Sequence, residues 1–242
     1  MKTINEQLID LYGSYWEKLK SQAMTEFEND EIKPACPLLL QVNEDEYSEA
    51  DIKIMYCGQE TRGWGKENLI SCDMESVLDI YRNYFFKQTY LKNSKRSAFW
   101  KGVKNFDAFF KRRFKDKKIV SVWNNVSKIG KAGEITGVTD KIRALERNYF
   151  PVLKREFEIL KPDIVIFMTG TRDDDIRHNF KDVKIEQIDS IESTERQLAL
   201  VSSELIAKVA IRTYHPAYFG GFYGALPDAK RVLEMLIKNK LD

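Results

Sequence analysis

Three cysteines, Cys36, Cys57 and Cys72, are an odd number in 242 residues, and none stands two residues from another. That spacing indicates neither a disulfide framework nor a clustered metal site, and reads as free thiols. Histidine is scarcer still, with only His178 and His215, so any imidazole chemistry falls to one of two side chains. Long apolar runs are missing as well: a stretch such as Ile164 to Met168 is far short of the roughly 18 residues of a membrane span. The opening Met1-Lys2-Thr3-Ile4-Asn5-Glu6 has no apolar signal core, which predicts a cytoplasmic protein without a membrane partner. Repeats and low-complexity tracts are absent, and the 12 glycines and 6 prolines are scattered, so one domain spanning 1–242 is expected. What is present, 43% hydrophobic and 31% charged residues, is enough to build a buried core.

Net charge is only +2, yet the charges are segregated. Residues 1 to 86 hold 8 basic and 17 acidic side chains, residues 87 to 118 hold 12 and 2, and the remainder holds 19 and 18. An excess of ten positive charges over 32 residues is the footprint of a phosphate-binding surface. It reads equally as a solvated helix face that pairs with the acidic N-terminal third.

Leu8, Leu11, Tyr15, Leu19 and Phe27 recur at helical spacing and predict an N-terminal helix over about 3–30 that ends before Pro34. Four β-prone runs follow, each closed by polar or Gly/Pro residues: 52–57 before Gly58, 119–123 before Asn124-Asn125, 163–168 before Thr169-Gly170, and 209–213 before Tyr214-His215-Pro216. Helices are predicted in two pieces over 74–114, over 138–160 and over 194–207, with a short strand near 183–188. The alternation implies an α/β fold with three layers, a central four-stranded parallel sheet between helices. The strand-end breaks then lie together at the edge where open parallel sheets bind ligands.

Gly58-Gln59-Glu60-Thr61-Arg62-Gly63-Trp64-Gly65 places three glycines, an amide and a carboxylate at the end of the first strand. It matches neither a phosphate-cradling loop with its lysine nor the dinucleotide fingerprint. Asn124 and Asn125 close the second run, where an Asn is usually a turn or cap residue. His215, held by Pro216 at a strand end, is a better site candidate than His178 in its charged helical stretch.

In this order the pieces resemble the uracil-DNA glycosylase superfamily. Gly58-Gln59-Glu60-Thr61-Arg62 is similar to its Gly-Gln-Asp-Pro-Tyr or Gly-Glu-x-Pro-Gly loop, and Asn125-Val126-Ser127-Lys128 to the Asn-Val-Val-Lys of the iron-sulfur branch. Leu160-Lys161-Pro162 resembles that branch's strand entry, Tyr214-His215-Pro216-Ala217 its Tyr-His-Pro-Ser/Ala motif, and Gly221-Phe222-Tyr223-Gly224 the Gly-Phe-Phe-Gly of the classical branch. The match covers about residues 52 to 224. The resemblance implies a pocket for a base flipped out of DNA, with His215 donating to the pyrimidine O2 and Glu60 standing where the family activates water. It assigns base reading to Asn125 or Asn124, with Gln59 and Trp64 beside the base, and wedge positions to Tyr218 and Phe219.

The sequence also departs from that pattern. Glu60 replaces an Asp, and Arg62 stands where the classical branch has the Tyr that excludes the thymine methyl group. Three scattered cysteines cannot hold the four-cysteine cluster, so no metal or other cofactor is expected. Residues 66–118 read as a basic helical insertion in which Lys111, Arg112 and Arg113 would contact DNA. Phe99, Trp100, Phe106, Phe109, Phe110 and Phe114 either stack on bases or form the buried face of that helix. Two functions fit: a DNA glycosylase acting on uracil or another modified base, or a catalytically silent member of the fold that binds nucleic acid or a nucleotide. A small-molecule hydrolase lacks a Gly-x-Ser-x-Gly elbow.

Overall fold

Thr3 starts the first helix: its side chain accepts from the Glu6 N–H while Glu6 reaches back to the Thr3 N–H, a capping box. The computed structural model describes residues 2–65, 67–87, 97–133 and 136–241. The basic residues Lys92, Lys95 and Arg96 lie outside the described residues. Among the described residues no helix is long and apolar enough to cross a membrane.

The chain divides into two compact units, each drawn from three stretches: Met1–Glu44, Glu60–Gln88 and Asn125–Leu160 in the first, Asp45–Gln59, Thr89–Asn124 and Lys161–Asp242 in the second. The first unit holds α1 (Ile4–Phe27). It also contains α3 (Met74–Tyr81), continued by a π-helical turn Arg82–Phe86, α5 (Asp140–Tyr149) and α6 (Leu153–Leu160). In α1 the buried stripe is Leu8, Tyr12, Trp16, Leu19, Ala23 and Phe27, so Tyr12 and Trp16 take the places expected for Leu11 and Tyr15. Tyr12 can be buried because its hydroxyl is satisfied twice: it donates to Glu156 Oε1 at 2.7 Å and accepts from the Leu40 N–H at 2.9 Å. Lys128 Nζ completes the cluster, 2.8 Å from Glu156 Oε1 and 2.9 Å from Oε2, with both side chains fully buried. The helix expected over 138–160 is broken at Pro151, which has no N–H to continue the ladder, and becomes α5 and α6.

The second unit holds the sheet. Its strands are β1 (Ile52–Gly58), β2 (Ile119–Asn125, whose last residue belongs to the first unit), β3 (Ile164–Phe167), β4 (Lys184–Glu186), β5 (Leu198–Ser202) and β6 (Val209–Thr213), in the order β2-β1-β3-β6-β5-β4. β1, β3 and β6 are parallel, with Tyr56 opposite Ile166 and Ile166 opposite Ile211. β5 runs antiparallel to both β6 and β4. The α/β class therefore holds, but the sheet has six strands and is mixed rather than four-stranded and parallel. The expected helix over 194–207 is strand β5, because Leu198, Ala199 and Val201 are buried against neighbouring strands, an override that helix propensity cannot anticipate.

Helices α2 (Glu44–Ser48), α4 (Ala98–Arg113), α7 (Asp173–Asn179) and α8 (Phe219–Lys240) complete the chain. α4 and α8 share one side of the sheet: Phe106 meets Phe222 edge to face at 6.2 Å, and the Tyr56 hydroxyl of β1 donates to Asp107 Oδ1 at 2.6 Å. Burial raises the Asp107 pKa, with the Tyr56 hydrogen bond opposing it. Gly102 makes the close approach possible, since a Cβ there would sit 2.5 Å from Pro216 Cγ and 2.9 Å from Met168 Sδ.

Candidate active site

In the second unit three parallel strands end side by side, and each end carries a polar residue. The Met168 N–H donates to the Cys57 carbonyl at 2.8 Å and the Gly170 N–H to the Thr213 carbonyl at 3.0 Å. Gln59 Nε2 donates to the Thr169 carbonyl at 2.7 Å. Gly170, with φ of 62°, lies where these ends converge; a Cβ on it would be 3.5 Å from the His215 amide nitrogen and 3.6 Å from Gln59 Nε2. Thr169 is wholly buried, and its Oγ1 has no hydrogen-bond partner among the described residues.

His215 is the centre of this edge. Its Nδ1 accepts from the Ala217 N–H at 3.1 Å and its carbonyl accepts from the Tyr218 N–H at 2.8 Å, so the His-Pro-Ala-Tyr turn fixes the ring. With Nδ1 an acceptor, the proton of the neutral imidazole is on Nε2. Burial, and after it the positive charge of Arg172, lowers the pKa to about 4. The side chain is therefore an uncharged N–H donor at neutral pH. Phe99, in the first turn of α4, lies nearly parallel to the imidazole at 6.2 Å and is backed by Trp100 and Trp123.

Arg172 owes its position to Arg212. The Arg212 guanidinium is buried, holding the Asp173 carboxylate at 3.0 and 3.1 Å and the carbonyls of Glu195 and Arg196 at 2.9 Å. This fork pins the start of α7 to β6. Arg172 and Arg212 carry no role in the sequence analysis, and Phe99 enters it only among the aromatics of the basic helix, not as a neighbour of His215. The Thr169-Gly170 break was the available signal for that loop, whereas a Phe at a helix start and an Arg inside a strand announce nothing.

Tyr218 and Phe219 follow His215 at the head of α8 and are 60% and 73% exposed. Tyr214 packs against Tyr218 at 4.8 Å and Phe219 against Tyr223 at the same distance. These are exposed aromatic rings beside the candidate donor.

Asn124 is buried in the second unit with its Nδ2 3.8 Å from Met55 Sδ, while strand alternation puts Asn125 on the opposite face of β2, with Trp123. In the first unit Glu60 Oε1 accepts from the Gly137 N–H at 2.7 Å. Trp64 is buried, donating from Nε1 to the Pro37 carbonyl at 3.2 Å and packing on Tyr84, and offers no open face for a base. Asn125 is buried in that unit too.

Lys111 and Arg112 are exposed and Arg113 pairs with Glu234 at 2.7 Å, all in the last turn of α4. Lys111, the first of them, stands twelve residues beyond Phe99 on that helix, about 18 Å at 1.5 Å per residue. Trp100, Phe106, Phe110 and Phe114 are buried, which rules them out as base-stacking platforms and makes them the packed face of the basic helix. No group of three or more His, Cys, Asp or Glu among the described residues could hold a metal ion. No family model and no curated protein matches this chain.

Proposed function

We propose that this protein is a DNA glycosylase that hydrolyses the N-glycosidic bond of uracil or another modified base, with His215 as its principal catalytic residue. One observation carries the reading: a neutral imidazole, its Nδ1 occupied by the Ala217 N–H, that keeps a single Nε2–H donor where the parallel strands of the mixed sheet end. When the bond between the sugar and the base breaks, its electron pair goes to the base, water adds to the sugar carbon, and the proton that the water loses ends on the departing base. A neutral donor aimed at the oxygen that gains this charge acts on the transition state more than on the ground state. An imidazolium would already be paired in the ground state, so the depressed pKa suits the task. Phe99 supplies a flat apolar ring beside the imidazole, Arg172 a nearby cation, and the unpartnered Thr169 hydroxyl a group that a ligand's polar edge would satisfy. Tyr218 and Phe219 are the exposed rings that would fill the gap left by a flipped base.

The second reading, a nucleic-acid or nucleotide binder without turnover, is favoured by Glu60. Its carboxylate already accepts the Gly137 N–H, an anchoring contact rather than that of a free water activator. The test is single-turnover incubation of the purified protein with oligonucleotides bearing uracil, hypoxanthine or xanthine, followed by alkaline cleavage at abasic sites. Strand scission with one of them, lost in His215→Ala, supports the glycosylase. Retained binding with no abasic product on any of them supports the silent binder.

A further inference from the structure

Two of the three cysteines meet in the first unit. The segment 34–36 runs beside 67–72: Ala35 bridges Asn68, the Leu69 N–H donates to the Pro34 carbonyl at 2.9 Å, and the Cys72 N–H to the Asn68 carbonyl at 3.2 Å. These backbone links place the two thiols over one turn, with Cys36 Sγ 3.4 Å from the Glu67 carbonyl and Cys72 Sγ 3.5 Å from the Leu69 carbonyl. The two thiols are neighbours, each acting on the other's ionisation. Cys57, in strand β1, belongs to the other unit.

The pair is chemically unequal. The neighbouring Cys36 thiol holds the Cys72 thiol below its ordinary range, against burial, and the Lys20 charge adds to the effect. Lys20 Nζ is held in place by the Cys72 carbonyl at 2.7 Å. Cys36 is shifted the opposite way, by the neighbouring Cys72 and by burial. Cys72 is thus the more readily ionised of the two thiols and Cys36 the one that holds its proton. Cys72 is also the more accessible of the two, at 6% exposure against 1%.

We propose that Cys36 and Cys72 are a reversible oxidation site that closes to a disulfide on exposure to hydrogen peroxide. The Cys72 sulfur attacks one peroxide oxygen, the O–O bond breaks, and the departing hydroxide leaves as water once protonated, which makes Cys72 a sulfenic acid. The Cys36 sulfur gives up its proton and attacks the Cys72 sulfur; the S–O bond breaks and the second hydroxide leaves with that proton as water. Two thiols lose two electrons, and the peroxide gains them. Cys36 Sγ lies against Gly65, where a Cβ would sit only 2.7 Å away, so the bond would fasten the chain just after the Gly58–Gly65 loop.

The experiment uses the full chain. Protein treated with hydrogen peroxide is freed of the oxidant, unfolded in the presence of a maleimide and mapped by mass spectrometry. The expected result is one alkylated thiol, Cys57, together with a linked pair of peptides holding Cys36 and Cys72 that separates on adding dithiothreitol. In Cys36→Ser, Cys72 should stop at a sulfenic acid that dimedone traps. Three alkylated thiols after peroxide, Cys57 oxidised as fast as Cys72, or Cys72 carried to a sulfinic acid with no linked peptide would each overturn the proposal. The wild-type map decides by itself should the serine variant not fold. None of these outcomes depends on glycosylase activity.

Discussion

At the scale of the residue, the question is what an uncharged histidine does that a charged one would not. His215→Ala is expected to slow single-turnover cleavage by about two to three orders of magnitude, the range for losing one oxyanion donor. Glu60→Gln should cost less, because an amide oxygen still accepts the Gly137 N–H. Rate constants for the two variants, with folding followed by circular dichroism, check the order; a larger loss in Glu60→Gln would make His215 the lesser group. The same imidazole also marks stability. Its pKa falls from 6.5 in the unfolded chain to about 4 in the folded one, so between those values the unfolded state binds more protons and stability drops as pH falls. The ceiling on that loss is about 3 kcal/mol, at 1.36 kcal/mol per pKa unit. Urea titrations of wild type and His215→Asn from pH 7 to 4 should show the variant losing less. His215 was legible in the sequence because a lone strand-end His before Pro is conspicuous. The states of Glu60 and Trp64 were not, since both are set by backbone groups of Gly137 and Pro37, distant in sequence from the loop that carries them.

Among the elements, helix α4 separates jobs that its composition merges. Its buried stripe of Trp100, Val103, Phe106 and Phe110 seats it on the sheet, its first turn carries Phe99 to His215, and its last turn presents Lys111 and Arg112. The sequence showed basic and aromatic residues interleaved, but only packing decides that the aromatics face inward. Reversing Lys111 and Arg112 to Glu should reduce the magnitude of the log–log salt slope of duplex binding by about 1.8, at 0.9 per lost phosphate contact. Filter binding at several salt concentrations measures it, and an unchanged slope would place the nucleic acid elsewhere. The distance of about 18 Å from Phe99 to Lys111 matches about five base steps of 3.4 Å, so oligonucleotides much shorter than that should be indifferent to the reversal. Gly102→Ala tests the seat of the helix: its methyl group would collide with Pro216 and Met168. Overpacking of this kind costs about 1–3 kcal/mol, read as a lower denaturant midpoint, and it should slow cleavage by shifting Phe99. Strand β5 was misread because Leu198–Ser202 earns its conformation only from β6 and β4 on either side.

At the scale of the whole molecule, the buried Lys128–Glu156 pair with Tyr12 ties α1, α6 and the end of the Asn-Val-Ser-Lys segment within the first unit. Lys128→Met strands a buried carboxylate and is expected to cost about 3–5 kcal/mol, while adding Glu156→Leu should restore much of the loss. Chemical denaturation of both variants distinguishes a structural Lys128 from one whose loss affects cleavage alone. The α/β class and four strands could be read from β-branched runs and their breaks. The division into two units could not, because it follows from which distant stretches pack together and no linker marks it. That division has a consequence during synthesis. The first unit has all its stretches once residue 160 is made, whereas the second needs the rest of the chain to residue 242. At about 5–20 residues per second, the ribosome takes roughly 4–16 s to supply those 82 residues. Until β3 emerges at Ile164, the apolar strand Ile52–Gly58 waits without that parallel partner. A nascent chain stalled before that point presents a bare strand edge, an aggregation-prone form.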